Sequence, residues 1–350
     1  MFYKISCAFY VIAGHFRVWR FTCLISHVVL SRLSCRRSDG ISLYGILLFC
    51  NISLGAHLPH YYCTAADERH FVLLTNLIDS IHQVDFENLG EIAVYDLGLT
   101  VSQRNYLNRL QAVTIQELEL THPDLKTYFF TSAGGRKVRG WFAWKPVVIK
   151  QALARFPYVL YLDAGSTVLR SPIDLFKYIN QRDYFLINTG PHAIEERATQ
   201  TVINELIKTL PQLQQDLLLD PSTLMISPGL QGLSRLVYAT YVLPVYELTK
   251  QIEIFADEGT CRLGFGAARH DQPIFSIYAY LNNMLIHPEG WADLELDGKI
   301  VRQHIHWNRA QVNGETVIYQ SRWDYLYRGS KLKYLRFKDE QKDERSNRAS

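Results

Sequence analysis

The chain has 350 residues, 48% of them apolar and 20% charged, with a net charge of +3. That balance suits a folded protein with a sizeable core, and so small a net charge argues against a nucleic-acid partner. The six cysteines form no CxxC pair, which argues against a disulfide framework or a zinc cluster; Cys63 and Cys261 sit in apolar surroundings and read as buried thiols.

The charge is unevenly spread. The first 60 residues hold six Lys/Arg and a single acid, Asp39. Residues 1–57 read as an apolar, basic extension. Within it, residues 41–56 form an apolar run of 16, short of the roughly 20 that cross a bilayer. Arg36 and Arg37 precede the run and would keep that end cytoplasmic. A signal anchor, a signal-peptide apolar region, a peripheral hairpin and an unstructured extension all fit. Localisation is therefore open between the cytoplasm and a membrane surface, with a Golgi-type signal anchor as one form of the latter. Residues 331–350, with seven Lys/Arg and four acids, read as a charged, disordered tail.

Residues 58–330 read as one α/β domain. A strand over 60–65 is followed by a helix over 67–83, whose apolar face carries Phe71, Leu74, Leu77, Ile78 and Ile81. A strand over 91–97, a helix over 102–110 and a strand over 112–115 follow, and this alternation predicts parallel βαβ units. A looser stretch over 121–140 leads to a helix over 141–156, with Pro146 near its first turn. The run YVLYL at 158–162 is continuously apolar and reads as a central strand buried on both faces. Strands are predicted over 184–188 and 222–226, a long helix over 234–253 interrupted near Pro244, and a helix over 272–282.

The strand at 158–162 ends in LDAGS. It delivers Asp163 to the C-terminal edge of the sheet, where open α/β sheets bind ligands. Gly165 would let backbone approach a ligand closely, and Ser166 offers a hydroxyl. Asp163 would equally serve as a turn cap. Asp271, in RHDQ, stands where a helix starts, which suits either an N-cap or a carboxylate facing a substrate. Gln272 would be its hydrogen-bonding neighbour, and His270 either a ligand or a structural residue. His304 and His306 alternate, so on a strand they share a face; imidazoles beside a carboxylate suit a manganese-class ion, and two polar residues on an edge strand would look the same. Arg136, Lys137 and Arg139 lie among Gly134, Gly135 and Gly140, as a phosphate cradle or as a solvated loop. Trp141 and Trp144 read as core. The chain has no GxxxxGK[ST], GxGxxG or GxSxG motif, which disfavours a P-loop enzyme, a dehydrogenase and an α/β-hydrolase.

YLDAGSTVL resembles the strand and acidic DxD motif of GT-A-type glycosyltransferases. WKPVVIKQAL before it, and ISPGLQGL, ARHDQPIFSIYAY and QHIHWN after it, are similar to segments of the nucleotide-diphospho-sugar transferases of glycosyltransferase family 8. The resemblance covers about residues 60–325. It implies a mostly parallel, Rossmann-like GT-A sheet flanked by helices. It further implies transfer of a hexose from a nucleoside diphosphate sugar, a UDP-sugar by this resemblance, to a hydroxyl of a carbohydrate, lipid or protein acceptor. A divalent metal, Mn2+, would be held by Asp163 with His304 or His306. Lys145 would meet the diphosphate, and Gly165 and Ser166 the nucleotide. Asp271 would be the general base of an inverting enzyme or orient the donor sugar in a retaining one, with Gln272 beside it. One departure stands out: Gly165 occupies the place of the second DxD acid, leaving one strand carboxylate for the metal. That departure favours, as the alternative, a catalytically degenerate GT-A-fold protein that binds nucleotide or sugar. A phosphohydrolase would need more acids at the strand ends than this chain shows.

Overall fold

The computed structural model describes residues 58–130, 137–208, 216, 220–306, 312–320 and 332–338, with His306 described in its backbone only. The extension over 1–57 lies outside the described residues, as do Gly134, Gly135 and Arg136. From the N-terminal side, β1 (His60–Ala66), α1 (Phe71–Val84), β2 (Leu89–Asp96), α2 (Val101–Asn108) and β3 (Val113–Glu117) follow one another. α2 starts where Thr100 and Gln103 form a reciprocal capping box, each side chain holding the other's backbone N–H. β4 (Tyr128–Phe130) and β5 (Lys137–Arg139) make a small antiparallel ribbon within the stretch that reads as loose in the sequence. Then come α3 (Trp144–Arg155), β6 (Tyr158–Leu162), β7 (Thr167–Val168), α4 (Ile173–Arg182), β8 (Tyr184–Ala193), α5 (Gln200–Ile207), β9 (Leu224–Ser234), α6 (Leu243–Leu248), α7 (Asp271–Leu281), β10 (Ile286–His287), β11 (Gly290–Leu296), β12 (Lys299–His306) and β13 (Thr316–Tyr319).

Seven strands make the main sheet in the order β10-β8-β9-β6-β1-β2-β3. The pairs β1-β2, β2-β3, β1-β6 and β10-β8 are parallel, and β9 alone runs against its neighbours β6 and β8. The expected class, α/β with a mostly parallel Rossmann-like sheet flanked by helices, is the class observed. β6 sits in the middle with all five residues buried, which is why its sequence is apolar at every position. Strand alternation sorts its side chains onto two cores. Val159 and Tyr161 pack with Val147, Val148 and Ile149 of α3 and Ile274 and Phe275 of α7; Leu160 and Leu162 pack with Leu74, Leu77 and Ile78 of α1 and Leu175 and Phe176 of α4. A second, four-stranded sheet, β11-β12-β13-β7, carries the late histidines.

Three local expectations differ from the structure. The helix over 234–253 is a 3-10 turn at Arg235–Val237, a π-helix at Tyr238–Val242 and then α6. Pro244 has no N–H to give the preceding turn, so it falls in the first turn of a new helix instead of inside a continuous one. The strands over 184–188 and 222–226 run on to Ala193 and Ser234, so the ISPGLQGL segment is strand throughout. Its Gly232 is a packing requirement, because a Cβ there would lie 2.3 Å from Ile179 Cδ1 of α4. Residues 332–338, expected within a solvated tail, lie against α1 and the chain entering β3. The Tyr334 amide donates to Asp79 Oδ1 at 2.8 Å, the Arg336 amide to His82 Nδ1 at 3.0 Å, and Phe337 bridges to Leu110. Burial pushes the His82 imidazole down to about 4, and the Arg336 charge adds to this, so the ring accepts that hydrogen bond in its neutral form. Among the described residues no helix is long and apolar enough to cross a membrane.

Candidate functional site

A cavity of about 610 Å³ opens at the C-terminal ends of β1 and β6. Its wall takes Asp67 after β1, Asp163 and Gly165 after β6, Thr189 and His192 from β8, Gly229 from β9, and Arg269 to Gln272 at the start of α7. Lys137 and Arg139 of β5, Lys145 of α3 and Gln320 after β13 add to its polar lining. The cavity stands at the sheet edge that the sequence assigns to Asp163.

Lys145 reaches it from the first turn of α3. The chain enters α3 through a tight bend with positive φ at Gly140 (+51°), Trp141 (+48°) and Phe142 (+62°). Only glycine fits at 140, because a Cβ would stand 2.2 Å from Leu125 O. The bend is tied down by Trp144 Nε1, which donates to Arg139 O at 3.0 Å. Lys145 is 2% exposed, and its Nζ lies 3.2 Å from Asp163 Oδ1 and 3.3 Å from Asp271 Oδ2. Burial opposes its charge, but the two carboxylates outweigh burial and hold its pKa above the usual lysine value. Burial lifts the Asp271 carboxyl to about 6, the Asp163 charge adding to the rise and Lys145 opposing it. Asp163 Oδ1 also accepts from Tyr161 OH at 2.7 Å.

Asp271 does not cap its helix. It is the first residue of α7, and the cap position belongs to His270, whose side chain makes no cap hydrogen bond. His270 has φ +47°, its Nδ1 donates to Phe255 O at 2.8 Å, and its ring lies 5.3 Å from that of Trp141 and 5.6 Å from that of Phe142. Three non-glycine residues with positive φ thus touch one another beside the cavity, a concentration of backbone strain of the kind that marks functional sites. Gln272 Nε2 donates to Thr189 Oγ1 and to Ile226 O, each at 2.9 Å, fixing α7 to β8 and β9.

Two further supports were missed in the sequence. Asp67 Oδ2 accepts from Tyr128 OH at 2.5 Å and from Arg139 Nε at 3.2 Å, and the Arg139 guanidinium lies 4.0 Å from the Tyr128 ring centre. Burial would raise the Asp67 carboxyl, but hydrogen bonds from His70 and Tyr128 and the Arg139 charge hold it well below the usual carboxylate range. Arg139 is therefore a fixed cation of the wall, not part of a solvated loop. The other support is Gly229: the Asp163 amide donates to Gly229 O at 2.9 Å, and a Cβ at 229 would lie 2.5 Å from Asp163 Oδ2. A glycine inside a strand is the signal that a neighbouring group comes close. Gly229→Ala is expected to push the Asp163 carboxylate off Lys145 and to destabilise the fold by about 1–3 kcal/mol, the cost of forcing extra atoms into a packed site. Urea unfolding checks this, and a stability equal to wild type would refute the close approach as a requirement.

Ser166 and His304 lie elsewhere. Ser166 is buried off the cavity wall; its amide donates to Asp163 O at 2.9 Å and its hydroxyl makes no hydrogen bond among the described residues. His304 is not on the wall. It belongs to β12 in the second sheet, with Nδ1 2.7 Å from Thr316 Oγ1 and its ring 4.5 Å from that of Trp291. The β12-β13 ladder shifts register between His304 and Ile305, with the extra residue, Val317, on β13. His306 pairs in backbone with Tyr319, next to Gln320 of the wall, and its side chain lies outside the described residues. Among the described residues no three His, Cys, Asp or Glu side chains gather as a metal-holding group. Asp163 Oδ1 is occupied by Lys145 and Tyr161, and Gly165 brings no side-chain ligand. The described donor set does not fit the divalent ion that the resemblance implies.

No family model and no curated protein matches the chain. Among solved structures it is similar to core-mannan synthase A from Aspergillus fumigatus in its Mn/GDP form, at 10% identity over 75% of this chain and 78% of that one, with a TM-score of 0.49. It is also similar to the mannosyltransferase Ktr4p from S. cerevisiae, at 12% identity over 77% and 82%, TM-score 0.42. Mouse xyloside xylosyltransferase 1 in its apo form is a third, at 11% identity over 75% and 97%, TM-score 0.38. These likenesses concern the path of the backbone; the chemistry rests on the side chains of the cavity.

Proposed function

We propose that the chain is a glycosyltransferase that moves a hexose from a nucleoside diphosphate sugar, a UDP-sugar by sequence resemblance, to an acceptor hydroxyl. The observation that carries this reading is the buried Lys145 ammonium held between Asp163 and Asp271 at the C-terminal edge of the sheet, facing a cavity of about 610 Å³. That volume lies within the usual range of small-molecule sites, roughly 300–1,000 Å³. Lys137, Arg139, Lys145 and Arg269 give the wall its positive charge, which a diphosphate requires. Asp163 fixes Lys145 and turns its second oxygen to the cavity side of Gly229, where Gln320 also stands. Gly165 leaves room beside Asp163, and Ser166 braces the turn from behind.

Asp271 is the acid–base group. A carboxyl that titrates near 6 is well placed to take the acceptor's hydroxyl proton near neutral pH, as the bond between the sugar carbon and the phosphate oxygen breaks. In a retaining enzyme the same carboxylate orients the donor sugar. Gln272 holds Asp271's helix turn against β8 and β9. A second reading, a binding protein without transfer, is favoured by Gly165 alone. The experiment is incubation with UDP- and GDP-hexoses, scoring release of nucleoside diphosphate and transfer to simple glycoside acceptors. Turnover that Asp163→Asn abolishes supports the enzyme. Tight nucleotide binding with no turnover on any donor would establish the second reading in its place.

A further inference from the structure

We infer that this pocket holds its donor's diphosphate with protein cations, Lys145 foremost, and without a divalent metal ion; the inference rests on the donor site proposed above. A divalent cation that bridges a diphosphate needs hard oxygen ligands from the protein, with carboxylates first among them. Here one oxygen of each of the two carboxylates beside Lys145 is already committed to its ammonium. Asp163 Oδ1 faces Lys145 Nζ and Tyr161 OH, and Asp271 Oδ2 faces the same Nζ. The second position of the acidic motif is Gly165, and His304 is set on Thr316 in the other sheet.

Lys145 cannot step aside. It is 2% exposed, its helix is packed into the core through Val147, Val148 and Ile149, and the bend before it is fixed by Gly140. The ammonium stands between two carboxylates and would repel a divalent ion brought in beside it. The other wall cations fit the same purpose. Asp67 neutralises Arg139 and holds it in place, leaving Lys137, Lys145 and Arg269 to outnumber Asp163 and Asp271 along the wall. As the bond from the sugar to the β-phosphate oxygen breaks, the electron pair stays on that oxygen, and the ammonium and guanidinium N–H groups meet the charge that develops there.

The test is calorimetry of the full chain with UDP and with GDP, in excess EDTA and in excess manganese chloride. One nucleotide binding with the same affinity in both buffers, within about twofold, is the expected result. Binding that appears only with manganese would overturn the inference while leaving the donor site intact. No binding of either nucleotide in either buffer would overturn both. Lys145→Ala leaves two bare carboxylates in the wall. It is expected to lose at least about tenfold in affinity in EDTA and to regain part of it with manganese. A folded Lys145→Ala protein that binds as tightly as wild type in EDTA would overturn the role given to Lys145. The EDTA comparison on the unaltered chain decides the matter even where that variant does not fold.

Discussion

Lys145→Met is expected to destabilise the fold by about 3 kcal/mol at neutral pH, the lower end of the cost of breaking a buried ion pair by removing one partner. Methionine keeps most of the lysine's apolar length, so the loss isolates the charge. Two carboxylates are left. Asp163 is 30% exposed in its side chain and rehydrates; Asp271 is 4% exposed and cannot, so most of the cost falls on Asp271. The pH dependence follows from the two groups. Without Lys145 the Asp271 carboxyl rises further above its ordinary value, so the variant recovers stability as the pH falls and the carboxyl protonates. In the wild type the folded-state pKa of Lys145 is raised above 10.5, so the stabilisation from the pair is complete below that value and is lost as the pH rises through the folded one. Urea unfolding of both proteins at pH 7 and pH 5 measures the difference. Equal stability at pH 7 would mean that the ammonium is not the partner of these acids.

Asp271→Asn should move stability the other way while removing activity. The native carboxyl titrates at about 6 against 3.8 for the free group, so the folded protein binds the extra proton between those values. Wild-type stability therefore falls as the pH rises from about 4 to about 6, by up to about 3 kcal/mol in total. Asparagine carries no charge and escapes this loss. The variant is expected to be more stable than wild type at pH 7, indistinguishable from it below pH 4, and slower in turnover by about 10²–10⁴-fold, the range for removal of a general acid–base group. Thermal melts across that pH range and initial rates at saturating donor check both halves. In the wild type the rate should rise with pH through about 6, and that inflection should be absent from the residual activity of the variant. Retained turnover would show that Asp271 only shapes the entry to α7.

How much of this the sequence disclosed depends on how local the signal was. The strand YVLYL is buried on both faces and needs no partner to be recognised, so the placement of Asp163 followed from residues 158–163 alone. α1 and α7 carry periodic apolar faces and were legible for the same reason. Asp271 and Lys145 lie 126 positions apart in sequence and 3.3 Å apart in space, a contact that no local pattern announces. Asp67 and Tyr128 look like an ordinary turn acid and an ordinary core ring until β1 and the β4-β5 ribbon are brought together around Arg139. Gly229 was visible as a glycine, but its need arises from the carboxylate of a neighbouring strand. His304 shows the opposite limit. Alternation along a strand assigns a face but not a sheet, and His304 stands on β12, in a sheet other than the one that bears Asp163. The π-helix before α6 was foreshadowed only by Pro244.

The segment 332–338 has a consequence for how the protein is made. Asp79 and His82 belong to the first helix of the described fold, and their hydrogen-bond partners, the amides of Tyr334 and Arg336, follow 255 and 254 positions later. On a ribosome, α1 and the strands beside it emerge long before those amides exist. During that interval both side chains must stay hydrated, and the edge beside β3 lacks its last bridge. The entropic cost of closing so long a loop grows only with the logarithm of its length, so late docking is affordable once the sheet is formed. Synthesis order therefore makes residues 332–338 a late clasp on α1, and the side of the sheet that α1 covers is completed only after they have been made.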